Sequence, residues 1–332
     1  YLGAEDWTSN DFTTDRNNPD SSIDLSNDPN FDGVNLHGDE TPIPVNAFGI
    51  GTIRRTGIEE RDLLDNNDAR TIKASTAIHY RFNDKLELIG NYRFATGSTM
   101  GQSSAKFAYR DLTSELYKIE LKNDNFFARS YVSITNNYGT FDVGTTGALV
   151  NEYLNPSQRE DGTGWVQDYI FAYLGAIPDV TPNDHSLARS YADRFMIDPI
   201  TGEYVPNFQD VVKNVRTNKY QGNPPGSSLY SKSYMWHHEL FYNFKQIKWA
   251  EVIAGANYRR YNLFSDATVF KEAPEDPNEK ERIQTGIVGA YTQISKTIAE
   301  KLKLTGSIRY DNMKDFKAEF TPRFSAVYSP NK

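Results

Sequence analysis

The chain has 332 residues, 38% of them hydrophobic and 24% charged, with a formal net charge of -8 and a mean hydropathy of -0.65. This acidity argues against nucleic acid as a partner, because phosphate binding needs concentrated Lys and Arg, and the absence of Cys removes disulfides, thiolate metal sites and cysteine nucleophiles. No apolar run approaches the roughly 18 to 20 residues of a spanning helix, which leaves barrel strands open, since these need only about 9 to 11 residues with every second one apolar.

Residues 1–70 are rich in Asn, Asp, Ser, Pro and Gly and read as loop. A two-residue period then begins: Ala74, Thr76, Ile78, Tyr80 and Phe82 oppose Lys73, Ser75, His79 and Arg81. Past a turn at Asn83-Asp84, Leu86, Leu88, Tyr92 and Phe94 oppose Lys85, Glu87, Asn91 and Arg93, which predicts a hairpin. Residues 115–122 and 126–135 pair around Asn123-Asp124-Asn125, 234–244 and 249–263 around Lys245-Gln246, and 286–297 and 302–311 around Ala299-Glu300; residues 317–329 follow. The total is about nine strands, in segments 71–135 and 232–332. Between them, residues 136–231 form a long loop with two short surface helices. Apolar residues recur at helical spacing over Gly164–Leu174, and Asp184 is placed to cap a helix over His185–Phe195.

Strand parity puts all the tight turns at one end and the longer connections, 97–114, 136–231 and 264–283, at the other. That sorting is the pattern of an outer-membrane barrel with short periplasmic turns and long extracellular loops. Leu302, Leu304, Ile308 and Tyr310, with Phe320, Phe324, Ala326 and Tyr328, then make a lipid face, and Lys303, Arg309, Asp311, Glu319 and Arg323 a wet lumen. A β-sandwich with its apolar face in a core also fits two such strands taken alone. About nine strands would leave open edges, which lipid does not tolerate, so the sequence reads as an internal portion of a larger barrel.

Several stretches resemble TonB-dependent outer-membrane receptors, especially those of Bacteroidetes-type bacteria. They are Arg309-Tyr310-Asp311 with Phe320-Thr-Pro322-Arg323-Phe-Ser-Ala-Val-Tyr328-Ser-Pro330, Arg55-Thr56-Gly57, His79-Tyr80-Arg81-Phe82, Asp124-Asn125-Phe126-Phe127-Ala128-Arg129, Asp32-Gly33-Val34-Asn35 and Gly38-Asp39-Glu40. The resemblance implies an all-β, antiparallel transmembrane barrel of about 22 strands filled by a plug. It also implies import of a scarce ligand (siderophore, vitamin, peptide or glycan) across the outer membrane of a Gram-negative bacterium, energised through TonB. Neither a plug, a TonB-binding box nor a terminal aromatic strand is seen in this sequence. Outer-membrane lipid, TonB through segments outside the sequence, an extracellular ligand and a surface lipoprotein are the partners implied, and no enzyme activity is. A passive porin-like barrel and a secreted polysaccharide-binding β protein are the alternatives.

Candidate sites are few. Asp28, Asn30, Asp32 and Asp39, with Gly33, copy the oxygen positions of an EF-hand loop, but Pro29 intervenes, Asp39 stands where Glu is usual and no helices flank it. An Asx-rich solvated turn is the commoner reading; calcium is the one cofactor the pattern offers. Trp165, Tyr169, Tyr173 and Tyr191 present aromatic faces to a ligand, with Arg189 and Asp193 as polar contacts, unless the loop helices use them for their own packing. His237 and His238 alternate across a strand and cannot chelate together; His237 shares its face with Glu239. Glu59-Glu60 and the pair Glu279 and Glu281 read as solvated charge runs.

Overall fold

The structure, a computed structural model, describes residues 11–20, 28–65, 68–103, 105–272, 282–314 and 316–330. Its elements in chain order are β1 (Leu36–His37), β2 (Ile43–Val45), β3 (Gly51–Ile53), β4 (Ile58–Glu59), α1 (Glu60–Leu63), β5 (Arg70–Asn83), β6 (Leu86–Gln102), β7 (Lys106–Lys122), β8 (Phe126–Asn136), β9 (Thr140–Asp142), α2 (Val143–Leu154), α3 (Trp165–Tyr173), α4 (His185–Ala192), α5 (Phe208–Thr217), β10 (Ser228–Leu229), β11 (Lys232–Asn243), β12 (Glu251–Leu263), β13 (Ile283–Ile298), β14 (Leu302–Met313) and β15 (Glu319–Tyr328). They fall into two compact units. One comprises residues 72–96, 112–137 and 231–332, the other the remaining described residues.

The first unit is an antiparallel sheet in which β5, β6, β7, β8, β11, β12, β13, β14 and β15 neighbour one another in that order. Every strand expected from the alternation is present. Asn83 and Asn123 set two of the turns: the Asn83 Oδ1 accepts from Lys85 N and Leu86 N at 2.9 and 3.1 Å, and the Asn123 Oδ1 accepts from Asn125 N and Phe126 N at 2.8 Å each. Ala299 and Glu300, at φ 49° and 59°, turn β13 into β14.

Register aligns like with like. Leu121, Ala128, Leu240, Ala256, Ala290, Tyr310 and Phe320 form one transverse row across β7 to β15, and one residue along the strands Glu120, Arg129, Glu239, Asn257, Gly289, Asp311 and Glu319 form a row on the opposite face. Among the described residues none covers the apolar face: Ile78 is 74% exposed and Phe324 77%. The polar face is the more crowded. Glycines there leave room for long side chains lying flat, since a Cβ on Gly255 would meet the Tyr291 ring at 2.6 Å and one on Gly289 would meet Asp311 Oδ1 at 2.7 Å and Arg309 Nη2 at 2.8 Å.

Expectation and structure part at residues 97–114. In place of a connection, β6 and β7 continue to Gln102 and from Lys106. The two-residue contrast fades there because Met100 and Ala108 enter the core of the second unit.

That second unit also corrects the reading of residues 28–64 as loop. They carry β1 to β4 and α1, and Phe31, Ile53, Ile58 and Leu63 are buried. One core joins Ile58, Leu63, Met100, Phe141, Val143 and Val150 to Phe208, Val212 and Val215. The last three recur at helical spacing and give α5 its buried stripe. Another joins Val45, Ile50 and Ile53 to Trp165, Tyr169, Ala172, Ala188 and Ala192. Helices α3 and α4 were expected; α2 and α5 were not. Asp142 caps α2 through Thr145 N at 2.8 Å, and Asp184 caps α4 through Leu187 N at 3.0 Å. Residues 138–230 are closed at their ends by pairing of Thr140 with Leu229 and Phe141 with Ser228.

The glycines give a direct check. Gly289→Ala is expected to lower stability by about 1–3 kcal/mol, whereas Gly306→Ala, whose Cβ would meet only a Phe324 ring carbon at 4.0 Å, changes it little. Denaturant unfolding of the two variants measures the difference; equal losses would contradict the packing described.

Candidate functional site

The residues expected to touch a ligand do come together, but inside the second unit. Asp193, 5% exposed, follows α4. Its Oδ1 accepts from the Trp165 indole N–H at 2.7 Å, and its Oδ2 accepts from the Thr56 hydroxyl. Burial pushes its carboxyl pKa up, opposed by those two hydrogen bonds and by Arg55 and Arg189. The Arg55 guanidinium lies 5.0 Å from the Trp165 ring centroid and donates to the Asn151 carbonyl at 2.9 Å. Arg189 Nη2 donates to the carbonyls of Asp28 at 3.1 Å and Pro29 at 2.7 Å. The Tyr169 hydroxyl meets His185 Nδ1 at 2.8 Å, and the His185 ring stacks on Tyr173 at 4.4 Å.

Trp165 and Tyr169 are fully buried, Arg189 nearly so and Tyr173 half-buried. This corrects the ligand-stacking reading: the aromatics at helical spacing join α3 and α4 to residues 45–56. Sequence reasoning missed Arg54, Arg55 and Thr56 as the other half of this joint. Two adjacent arginines in an acidic stretch were the signal available.

Asp28, Asn30, Asp32 and Asp39 do not converge on a common centre. Asp28 Oδ1 accepts from Asn30 N at 2.8 Å, and Asn30 Oδ1 accepts from Arg54 Nε at 3.0 Å. The Asp32 carboxylate lies 3.4 Å from Arg16 and 3.3 Å from Arg54. Asp39 Oδ2 accepts from Gly33 N at 2.8 Å. Guanidinium and amide donors thus stand where a cation would, and among the described residues no three His, Cys, Asp or Glu are grouped to hold a metal. Nor is the segment a solvated turn, since Asp32 and Asp39 are both buried. Burial pushes the Asp39 carboxyl up to about 6, with Glu40 and Asp32 raising it further against the Gly33 hydrogen bond.

Glu60 is likewise no solvated charge; it is 1% exposed and paired with Lys106. Glu59 pairs with Arg61. Glu279 and Glu281 lie outside the described residues.

On the polar face of the sheet, Arg129 donates to Glu239 Oε2 through Nε at 2.8 Å and Nη2 at 2.5 Å. His237 Nε2 lies 3.5 Å from the same oxygen, and Arg259 Nε is 3.3 Å from His237 Nδ1. Lys118 reaches Glu120 at 3.2 Å, and Arg309 holds Asp311 through two contacts of 2.6 Å. His238 stands on the other face, as alternation requires. Opposite charges side by side, within a row as for Arg129 and Glu239 and between neighbouring rows as for Arg309 and Asp311, let a densely ionic face persist beside water without a large net field.

Such a sheet, apolar and uncovered on one side and ionic on the other, has a counterpart among known families. Residues 183–332 match the family described as TonB dependent receptor-like, beta-barrel. Over those residues the chain is similar to that barrel family. The family is one of receptors and transporters and not of enzymes. Solved structures similar to the chain include the siderophore receptor PirA from Pseudomonas aeruginosa (10% identity, TM-score 0.42, covering 80% of this chain and 31% of that one). PirA from Acinetobacter baumannii (6%, 0.42, 80% and 32%) and the FrpB iron transporter from Neisseria meningitidis (10%, 0.40, 88% and 38%) are also similar. The chain spans about a third of the length of these barrels. Among curated proteins none matches it.

Two outcomes are expected of the buried acids. Trp165→Phe leaves one Asp193 oxygen buried without its donor and is expected to cost about 1–3 kcal/mol in thermal unfolding. Asp39, raised in the folded state from 3.8 to about 6, binds its proton more tightly folded than unfolded, so its contribution to stability falls as pH rises from about 4 to about 6. Asp39→Asn, which keeps an oxygen for Gly33 N–H, is expected to flatten that part of the stability profile and to raise the melting temperature at neutral pH. An unchanged slope would contradict the assignment.

Proposed function

We propose that the chain is the strand-rich middle of a TonB-dependent outer-membrane receptor that captures a scarce ligand outside the cell and imports it. The observation that carries this reading is the two-faced sheet: an apolar face left without a protein cover, and an opposite face whose ions pair along the rows. Lipid on one side and a wet lumen on the other are the surroundings that suit it. The family match over residues 183–332 supports the same reading. Residues 138–230 connect β8 to β11 at the strand ends opposite the turns at 84–85, 123–125, 244–250 and 299–301. In this reading those connections face the exterior and carry ligand capture, with siderophore, vitamin, peptide and glycan as the candidate ligand classes. The lumen forms the route inward, and TonB supplies the energy.

Fractionation of cells producing the intact protein that contains this chain tests the membrane part: the protein should stay with the outer membrane in high salt and leave it only in detergent. Release by salt alone would overturn it. Leu240→Arg, at the centre of the apolar face, should then cost about 2–4 kcal/mol of stability in lipid. Accumulation of the ligand should stop when TonB is removed; accumulation that persists would indicate a passive barrel instead.

A further inference from the structure

Among the described residues, charge on the apolar face of β8, β11, β12 and β13 lies toward the strand ends, and toward the end served by the long connections it is basic. Arg260 is exposed and stands directly across from Trp236. Farther along the same face come Lys232, at the start of β11, and Arg282, just before β13. The Arg282 guanidinium lies 5.4 Å from the Tyr234 ring and 5.0 Å from Phe264, and its Nη1 donates to the Lys232 carbonyl at 3.0 Å. Arg260 Nη2 donates to Gln284 Oε1. Each guanidinium keeps further N–H groups for another acceptor. Among the described residues of these strands a carboxylate toward this end of the face is Glu115 on β7, two strands from Lys232 and three from Arg260, where it accepts from the Tyr117 hydroxyl at 3.2 Å.

A trough leads away from this corner. Ala128 and Ser130 on β8 are flanked by Ile119 and Leu121 on β7 and by His238 and Leu240 on β11, so small side chains form a floor between taller walls along the strands. Toward the basic corner the floor continues at Val132, between Tyr117 and Trp236. The rings of Trp236, His238 and Tyr258 lie nearly parallel at the head of the trough, with centroids 6.4 and 6.2 Å apart in turn and interplanar angles of 9° and 11°. An apolar channel the width of one strand, capped by flat amphipathic rings and then by three cations, matches the order of parts in a lipid: acyl chain, interfacial region, charged headgroup.

We propose that this corner of the sheet binds a membrane lipid with a phosphate-bearing anionic headgroup, its chain along the Ala128–Ser130 trough and its phosphate against Arg260, Lys232 and Arg282. The proposal rests on the reading of the apolar face as lipid-facing. It adds a site that neither the strand alternation nor the family match assigns.

The intact protein that contains this chain, purified in detergent and offered equal amounts of phosphatidylglycerol and phosphatidylcholine, is examined by native mass spectrometry. Phosphatidylglycerol should be retained preferentially. Arg260→Gln and Arg282→Gln should each lower that preference by about fivefold, the contribution of one basic residue beside an anionic lipid surface. Arg323→Gln, on the polar face, should leave it unchanged, and Ala128→Phe, which fills the trough, should lower retention of both lipids. Equal retention of the two lipids, or a preference that survives the double arginine variant, overturns the site. Displacement of the bound lipid by inorganic phosphate alone also overturns it, since the cluster would then be an anion site without a chain. A chain that enters bilayers yet retains no lipid overturns the site and leaves the membrane reading standing; a chain that enters no bilayer overturns both.

Discussion

The antiparallel strand ladder is the constraint on which the sheet unit depends. Each of β6, β7, β8 and β11 to β14 satisfies its backbone groups through neighbours on both sides, and the pleat then sends successive side chains to opposite faces. Register does the rest. Because Leu240 aligns with Ala128 and Ala256, its chain neighbour Glu239 must align with Arg129 and Asn257. A slip of one residue between any two strands would place ions among aliphatic groups over the whole interface. The ion pairs of Arg129 with Glu239 and of Arg309 with Asp311 therefore act as register markers as much as sources of stability.

The second unit solves a different problem. Its segments come from distant parts of the chain and share no long ladder, so buried polar joints hold them. Asp193 ties residue Thr56 to α3 and α4, Arg189 ties α4 to Asp28 and Pro29, and Asn151 Nδ2 ties α2 to the carbonyls of Gly38 and Thr56 at 3.1 and 3.2 Å. Each such group gains little net energy while paired and costs much when a partner is lost. The close approach of α2 to β1 at Gly147, where a Cβ would come within 2.5 Å of the His37 carbonyl, belongs to the same scheme.

The strands were legible because alternation is written directly in residue type: Ile78, Tyr80 and Phe82 against His79 and Arg81 can be read without knowing any partner. The helices α3 and α4 were legible through spacing and through Asp184 as a cap. What stayed hidden depends on contacts between distant segments. Glu60 reads as a surface acid until Lys106 is beside it, and Trp165 and Tyr169 read as an exposed aromatic platform until Asp193 and Arg55 cover them. Residue type states that an aromatic or a carboxylate is present and is silent on which segment buries it. The same limit applied to Asp28, Asn30, Asp32 and Asp39, whose spacing copies a metal loop while arginines at positions 16 and 54 take up the oxygens.

The central claim, that one face of the sheet meets lipid and the other water, can be measured residue by residue on β11. These 332 residues contain no cysteine, so single cysteines can be introduced at positions 236 to 241 of the intact barrel, with any cysteine elsewhere in it replaced, and spin-labelled in reconstituted bilayers. The account predicts a period of two: labels at 236, 238 and 240 relax with oxygen dissolved in lipid, and those at 237, 239 and 241 with a water-soluble paramagnetic reagent. Equal access of the aqueous reagent to all six positions would contradict it.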